Sequence, residues 1–288
     1  MQSILTFWFK SLYIRIRASN IISNKFLLVG AIILTLYLII AIFADIIAPY
    51  PPIKTDSALM LQSPSLAHPF GTDRFGRDLL SRTVYGTRVS LSVAFASIGA
   101  AVFAGSLLGL VAAYLGKAVD QILGRVMDIF FALPSILLAI AISAILGTGR
   151  SNAILAIAIV YMPSFFRVMR GSVLSEKEKV YVEAARAVGA SPWYIMFRQI
   201  LRNVLAPIYV QAAVSLSYAI LLEAALSFLG VGVQPPTPSW GTILNEGRNY
   251  LEIAPWISIF PGVFIMLSVL SFNFIFDGLR DIFDPRLR

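Results

Sequence analysis

Six apolar runs, most about as long as a bilayer core is thick, constrain this chain more than any other feature. They fall at approximately 26–48, 89–115, 126–147, 152–166, 204–230 and 253–276. A helix needs about 20 apolar residues to cross the hydrocarbon, and within lipid only helices and closed barrels satisfy every backbone polar group. At 58% hydrophobic and 13% charged over 288 residues, the chain is too apolar for a soluble domain of its size. A buried core helix can imitate one such run, but not six. The expected fold class is an all-α polytopic membrane protein with six transmembrane helices. The fourth run is the shortest and carries Pro163.

The formal charge of +8 follows topology rather than a nucleic-acid footprint. With an interior N-terminus, the inner segments hold Lys10, Arg15, Arg17, Lys25, Lys117 and Arg125, then the basic residues from Arg167 to Arg202, and the basic tail. The outer segments hold fewer, as the positive-inside rule requires; the long first outer loop obeys it least. No nucleic-acid partner is expected. The chain contains no cysteine, which excludes thiolate metal sites, thiol catalysis and disulfides.

Residues 1–25 mix Phe7, Trp8 and Phe9 with Lys10 and Arg15, an interfacial amphipathic segment. Pro49, Pro51 and Pro52 end the first span. A polar outer segment follows to about Arg88 and includes His68, expected to be an ordinary surface residue. In the second span Ser97, Ala101, Gly105, Gly109 and Ala113 recur every four residues, a flat stripe that lets another helix backbone approach. Gly147-Thr148-Gly149-Arg150 reads as a tight turn between the third and fourth spans.

A charged, helix-forming island lies between the fourth and fifth runs, on the expected inner face. Ser175 and Glu178 have capping-box spacing, which predicts a helix from about Glu176 through Glu183, Ala184 and Ala185. Gly189 suits a left-handed C-terminal cap. Ser191 and Pro192 suit the N-cap and first turn of a second helix, which opens with the apolar surface of Trp193, Tyr194, Ile195, Met196 and Phe197. The predicted unit is helix, glycine elbow, helix, a shape able to pass force from a soluble partner into the membrane bundle.

Glu183-Ala184-Ala185, with Gly189 six residues after the glutamate, resembles the EAA loop of ATP-binding-cassette importer permeases. The sequence His68-Pro69-Phe70-Gly71-Thr72-Asp73 with Gly76-Arg77-Asp78 resembles the first outer loop of the C-type dipeptide and oligopeptide permeases. So do the stretch from Leu222 to Gly230, Pro235-Pro236-Thr237-Pro238-Ser239-Trp240-Gly241, and the tail Asp277-Gly278-Leu279-Arg280-Asp281 with Asp284-Pro285-Arg286. The resemblance covers roughly residue 26 to the C-terminus. One departure is Arg202, where the EAA pattern commonly has proline; here Pro207 lies beyond.

The resemblance implies a type I ABC importer permease fold, with a first helix and long outer loop over 26–88. A core permease domain over 89–288 would then carry the coupling loop at 171–203. It implies a heterodimer with a second, homologous permease subunit, two cytoplasmic ABC ATPase subunits and an external solute-binding protein, in a bacterial or archaeal cytoplasmic membrane with both termini inside. Glu183, Ala184, Ala185, Gly189, Ala190, Ser191 and Trp193 would form the ATPase contact. The cargo it implies is a di- or oligopeptide, with nickel chelates, glutathione or another small solute as alternatives within the family.

No phosphate loop and no H-E-x-x-H pair is present, so this chain is expected to be a non-catalytic subunit that binds no cofactor, with ATP and Mg2+ held by the partner ATPases. Glu223 lies well inside the fifth run, where a charged group is costly. It can line the translocation path, pair with another subunit, carry a proton, or close an internal hydrogen bond. Asp45 and Asp128 lie near span ends and read as structural. A stand-alone proton-coupled transporter would need more buried ionisable groups and an inverted repeat of broken helices, neither of which the sequence displays.

Overall fold

The computed structural model describes residues 24–283, and all regular elements among them are helical. The expected amphipathic segment at 1–25, apart from Asn24 and Lys25, and the Asp284-Pro285-Arg286 motif lie outside the described residues. The membrane-crossing candidates are α1 (Lys25–Ile42), α2 (Leu79–Leu115), α5 (Arg150–Glu176), α7 (Leu205–Phe228) and α9 (Trp256–Phe283). The third apolar run does not form one straight span. It folds as α3 (Lys117–Phe131) and α4 (Ser135–Leu146), bent by 97° at the break between them. Pro134 explains the bend, since proline supplies no N–H and its ring collides with the preceding turn. Twelve residues give α4 a length of only about 18 Å. Helix α3 exposes Ile122, Val126 and Ile129 on one side and buries Met127 on the other.

Helix α2, at 37 residues, is the spine. It begins at Leu79, well before the run that hydropathy marks, because Asp78 caps it by accepting the Ser81 N–H at 2.7 Å. At about 55 Å it extends past a hydrocarbon core of about 30 Å, and its first turns bury Ser81, Arg82, Thr83 and Thr87. Further along, Ser97, Ala101, Gly105, Gly109 and Ala113 are all buried, as the four-residue stripe predicts. A methyl group added at Gly109 would stand 2.5 Å from the Phe166 carbonyl oxygen of α5, so the backbones meet where only glycine fits.

Helix α1 packs along α9. Asn24 caps α1 through the Leu27 N–H, and Ser271 Oγ donates to the Gly30 carbonyl at 2.7 Å. At one end of the bundle, α4 turns into α5 through Gly147 and Gly149, both at positive φ. At that same end the chain between α7 and α9 folds back into the protein as α8 (Trp240–Gly247), with Trp240 fully buried. We call this the hairpin end. The opposite end carries the break between α5 and α7, and we call it the elbow end.

Candidate functional site: an exposed elbow and a buried polar layer

The elbow begins where α5 stops at Glu176. Ser175 does not act as the predicted cap: it lies exposed in the last turn of α5, and the next helix, α6 (Val180–Ala187), starts after Lys179 without a side-chain cap. The break has a polar reason that the capping-box spacing does not convey. Glu176 is buried at the joint, its Oε1 accepts the Tyr181 hydroxyl at 2.8 Å, and its Oε2 faces Lys179 Nζ at 2.6 Å. Asn203 Nδ2 donates to the same Tyr181 hydroxyl at 3.1 Å, and Lys177 Nζ donates to the Ala113 carbonyl at the end of α2. Burial pushes the Tyr181 phenol above its ordinary pKa, which keeps its proton available for donation.

Helix α6 ends in a Schellman cap. Gly189 takes φ +79°, the Ala190 N–H reaches the Ala185 carbonyl at 3.0 Å, and the Gly189 N–H reaches that of Arg186 at 3.0 Å. Ser191 then caps Pro192–Tyr194 through the Tyr194 N–H at 3.3 Å. From Ile195 to Ile200 the backbone is π-helical, with the Leu201 N–H reaching five residues back to the Met196 carbonyl. A one-residue excess per turn of this kind re-aims side chains. Here Ile195, Met196 and Ile200 are buried, whereas Trp193 and Tyr194 stay outside.

The predicted elbow residues therefore share one end of the protein. Glu183, Ala184, Gly189, Ser191 and Trp193 are exposed, Ala190 is half-buried, and Ala185 turns inward beside Val182 to seat α6 on the bundle. Val180, Val188, Trp193 and Tyr194 add apolar surface, and the Trp193 ring stacks on Phe197 at 5.4 Å between centroids. No described residue forms an ion pair with Glu183.

Glu223 lies far along the chain from this surface, in the last turns of α7 toward the hairpin end, and is completely buried. Its Oε1 accepts the Ser227 hydroxyl at 2.8 Å, and the hydroxyls of Ser90 on α2 and Ser239 before α8 also surround the carboxyl group. Its Oε2 has no hydrogen bond of good geometry among the described residues. The same layer holds the Trp240 N–H on Ser90 Oγ and the Trp240 indole N–H on the Thr83 carbonyl, both at 3.3 Å. In this conformation Glu223 is enclosed by α2, its own helix and the cap of α8, with no exposure to an open passage.

Hydropathy gave no hint of a second buried cluster at the hairpin end. Arg77 bridges Asp73 and Glu246, each at 2.6 Å, and Arg82 reaches the same Glu246 Oε2 at 2.8 Å and Asp73 at 3.3 Å. This network locks the segment before α2 to α8. His68 is not the surface residue expected: it is 7% exposed, with Nδ1 2.9 Å from the helix-capping Asp78. Asp45 receives Tyr85 and Arg88, and the hydrogen bond from Arg88 is the main force holding its carboxyl below the usual range. Asp128 lies 3.6 Å from Arg167, both exposed.

Residues 105–288 match the family described as binding-protein-dependent transport system inner membrane component, and residues 19–64 match the N-terminal transmembrane domain of oligopeptide transport permease C. The chain is 49% identical over 265 residues to the dipeptide transport system permease protein DppC of Alkalihalophilus pseudofirmus, covering 92% of this chain and 87% of that one. It is 43% identical to the glutathione transport system permease protein GsiD of Pectobacterium atrosepticum, covering 88% and 84%. Among solved structures it resembles the inward facing MetNI methionine ABC transporter with a TM-score of 0.57, covering 72% of this chain and 97% of that one. At 20% sequence identity, that likeness speaks to fold alone.

Proposed function

The chain belongs to the family of binding-protein-dependent transport system inner membrane components, and on that premise we propose that it couples ATP hydrolysis in partner chains to the import of di- or oligopeptides. It is a multi-pass permease subunit. In this reading the elbow end faces the cytoplasm of a bacterial or archaeal cell and the hairpin end faces outward, with both termini inside. A second, homologous permease completes the passage, two ABC ATPases hold ATP and Mg2+, and a solute-binding protein delivers cargo at the hairpin end. The chain itself catalyses nothing and binds no cofactor.

The observation that carries the reading is the elbow. Glu183, Ala184, Gly189, Ser191 and Trp193 are presented together across α6, its glycine turn and the turn that follows, and Glu176, Tyr181 and Asn203 tie that helix to the bundle. A soluble ATPase gripping that helix moves α5 and α7 directly, because the elbow is the only covalent link between them. Packed helices shift as bodies between discrete arrangements rather than deforming continuously. Glu183 offers charge, Ala184 permits close approach, and Trp193 supplies a large anchor of the kind that dominates protein interfaces.

The peptide reading rests on relatives named for dipeptides, and a relative named for glutathione, itself a tripeptide, favours the same chemical class. The test is uptake by proteoliposomes containing the assembled transporter, offered labelled dialanine, glutathione and nickel with and without ATP. ATP-dependent entry of the dipeptide is the expected result. Entry of nickel alone reassigns the cargo. Uptake driven by a proton gradient without ATPase chains overturns the mechanism.

A further inference from the structure

The exposed faces of the spanning helices are of two chemical kinds. On α9, Ile259, Val263, Met266 and Leu270 follow at four- and three-residue steps, all exposed and all apolar. On α1 the exposed residues include Phe26, Ile32, Leu36 and Ile39. Faces of that composition suit lipid, which offers no hydrogen bonds.

The free face of α7 differs. Pro207, Gln211, Val214, Tyr218, Leu221 and Ala225 recur at helical spacing and share one side. Tyr218 sits near the middle of the helix and is 56% exposed. Its hydroxyl has no hydrogen-bond partner among the described residues. Tyrosine belongs at the membrane–water boundary, where its hydroxyl stays wet; an unpaired hydroxyl at mid-depth against lipid is unfavourable. Gln211, half-buried two helical turns away, spends one amide proton on Ser215 Oγ at 3.2 Å and retains further capacity. Tyr161 of α5 stands within electrostatic reach of Tyr218. From Val204 to Leu222 the sequence contains no charged residue.

We propose that the α7 face bearing Gln211 and Tyr218 lines a water-filled passage and reads the backbone amides of a peptide through uncharged hydrogen bonds. The proposal rests on the importer reading above and names how its cargo is handled. A phenol and a primary amide each donate and accept, as a peptide group does. With no fixed charge on the face, cationic, anionic and neutral side chains pass on equal terms. A dry contact with the second permease is the competing arrangement for this face, and the test separates the two.

The chain contains no cysteine, so single cysteines can be placed without first removing others. Tyr218→Cys and, as the lipid-facing control, Met266→Cys are each assembled with partner chains lacking accessible cysteine, and assembly is checked by co-purification of the ATPases. Both are treated with the membrane-impermeant reagent sodium (2-sulfonatoethyl)methanethiosulfonate in ATP-bound and ATP-free states. The expected result is modification of Tyr218→Cys with loss of uptake, and an inert Met266→Cys. A Tyr218→Cys that stays unmodified in both states overturns the passage. Tyr218→Phe removes only the hydroxyl and is expected to raise KM alike for dialanine, dilysine and diglutamate. A rise confined to one charge class, or no rise, overturns the uncharged reading. If the unsubstituted transporter shows no ATP-dependent uptake of any of the three, the importer reading fails; if it does and Tyr218→Cys is inert, only this inference falls.

Discussion

The Tyr181 hydroxyl donates to the Glu176 carboxylate at 2.8 Å and accepts from Asn203 Nδ2 at 3.1 Å, so one phenol ties the end of α5, the start of α6 and the approach to α7. In the proposed importer reading, that joint is the path by which motion of the exposed elbow reaches the bundle. Tyr181→Phe removes both hydrogen bonds and leaves the ring in place, at a cost of about 1 kcal/mol per bond. The expected outcome is a transporter that assembles and hydrolyses ATP but moves less cargo per ATP, measured as the ratio of uptake to phosphate release. An unchanged ratio would show that the joint transmits nothing.

Gly189 occupies φ +79°, and a methyl group added there meets nothing within 4 Å. The penalty for Gly189→Ala is therefore backbone strain alone, about 1–2 kcal/mol. Gly189→Asp adds a charge to the exposed elbow. Both variants are expected to reach the membrane in normal amount, with Gly189→Asp the more uncoupled. Normal uptake with Gly189→Asp, scored by growth on peptide as sole amino-acid source, would count against the elbow's coupling role.

Trp193, 66% exposed and stacked on Phe197, is the largest side chain offered at the elbow. Trp193→Ala is expected to weaken ATPase association by about 2 kcal/mol, roughly thirtyfold in Kd, with the bundle itself unaffected. Titration of purified ATPase against the detergent-solubilised permease pair reads this directly.

Gly109 faces the α5 backbone, where an added methyl group would meet the Phe166 carbonyl oxygen at 2.5 Å and Met169 Cβ at 3.0 Å. Gly109→Ala forces α2 and α5 apart and is expected to destabilise by about 1–3 kcal/mol, with Gly109→Val worse. The check is thermal unfolding in detergent. Gly99, with open space around it, is the matched control: Gly99→Ala should leave the midpoint nearly unchanged.

Glu246 receives two guanidinium groups, from Arg77 and Arg82, at 2.6 and 2.8 Å, and all three side chains are at most 6% exposed. Removing one partner from a buried ionic network leaves uncompensated charge and costs about 3–5 kcal/mol. Glu246→Ala is expected to lower the unfolding midpoint sharply, and limited proteolysis should then cut within 240–250. An unshifted midpoint would mean that water enters the cluster.

Much of the elbow was legible in the sequence because its signals are local. A glycine able to take positive φ, and a serine before a proline, act over four or five residues, and the structure contains both the Gly189 cap and the Ser191 cap. The stripe through Gly105 and Gly109 was legible for the same reason, since helical spacing alone puts those residues on one side. Capping-box spacing misled at Ser175, because α5 continues to Glu176, whose buried carboxylate is paired with Tyr181 and Lys179 at the joint. His68 was misjudged because its partner Asp78 and the Tyr50 ring beside it become neighbours only after the segment between α1 and α2 folds over the start of α2.

By itself the amino-acid order determined that this chain lives in a bilayer as bundled helices, roughly which stretches form them, and that an elbow at Gly189 interrupts them. Those are consequences of burying apolar runs and satisfying backbone groups within single segments, and both are decided by neighbours along the chain. Only the tertiary structure decided which distant polar groups meet: Arg77 and Arg82 on Glu246, Glu223 beside Ser90 and Ser239, Trp240 on Ser90, and Tyr218 left facing outward from α7. A hydrogen bond or ion pair across more than 150 residues depends on how helices dock and rotate about their axes, and no local spacing carries that information.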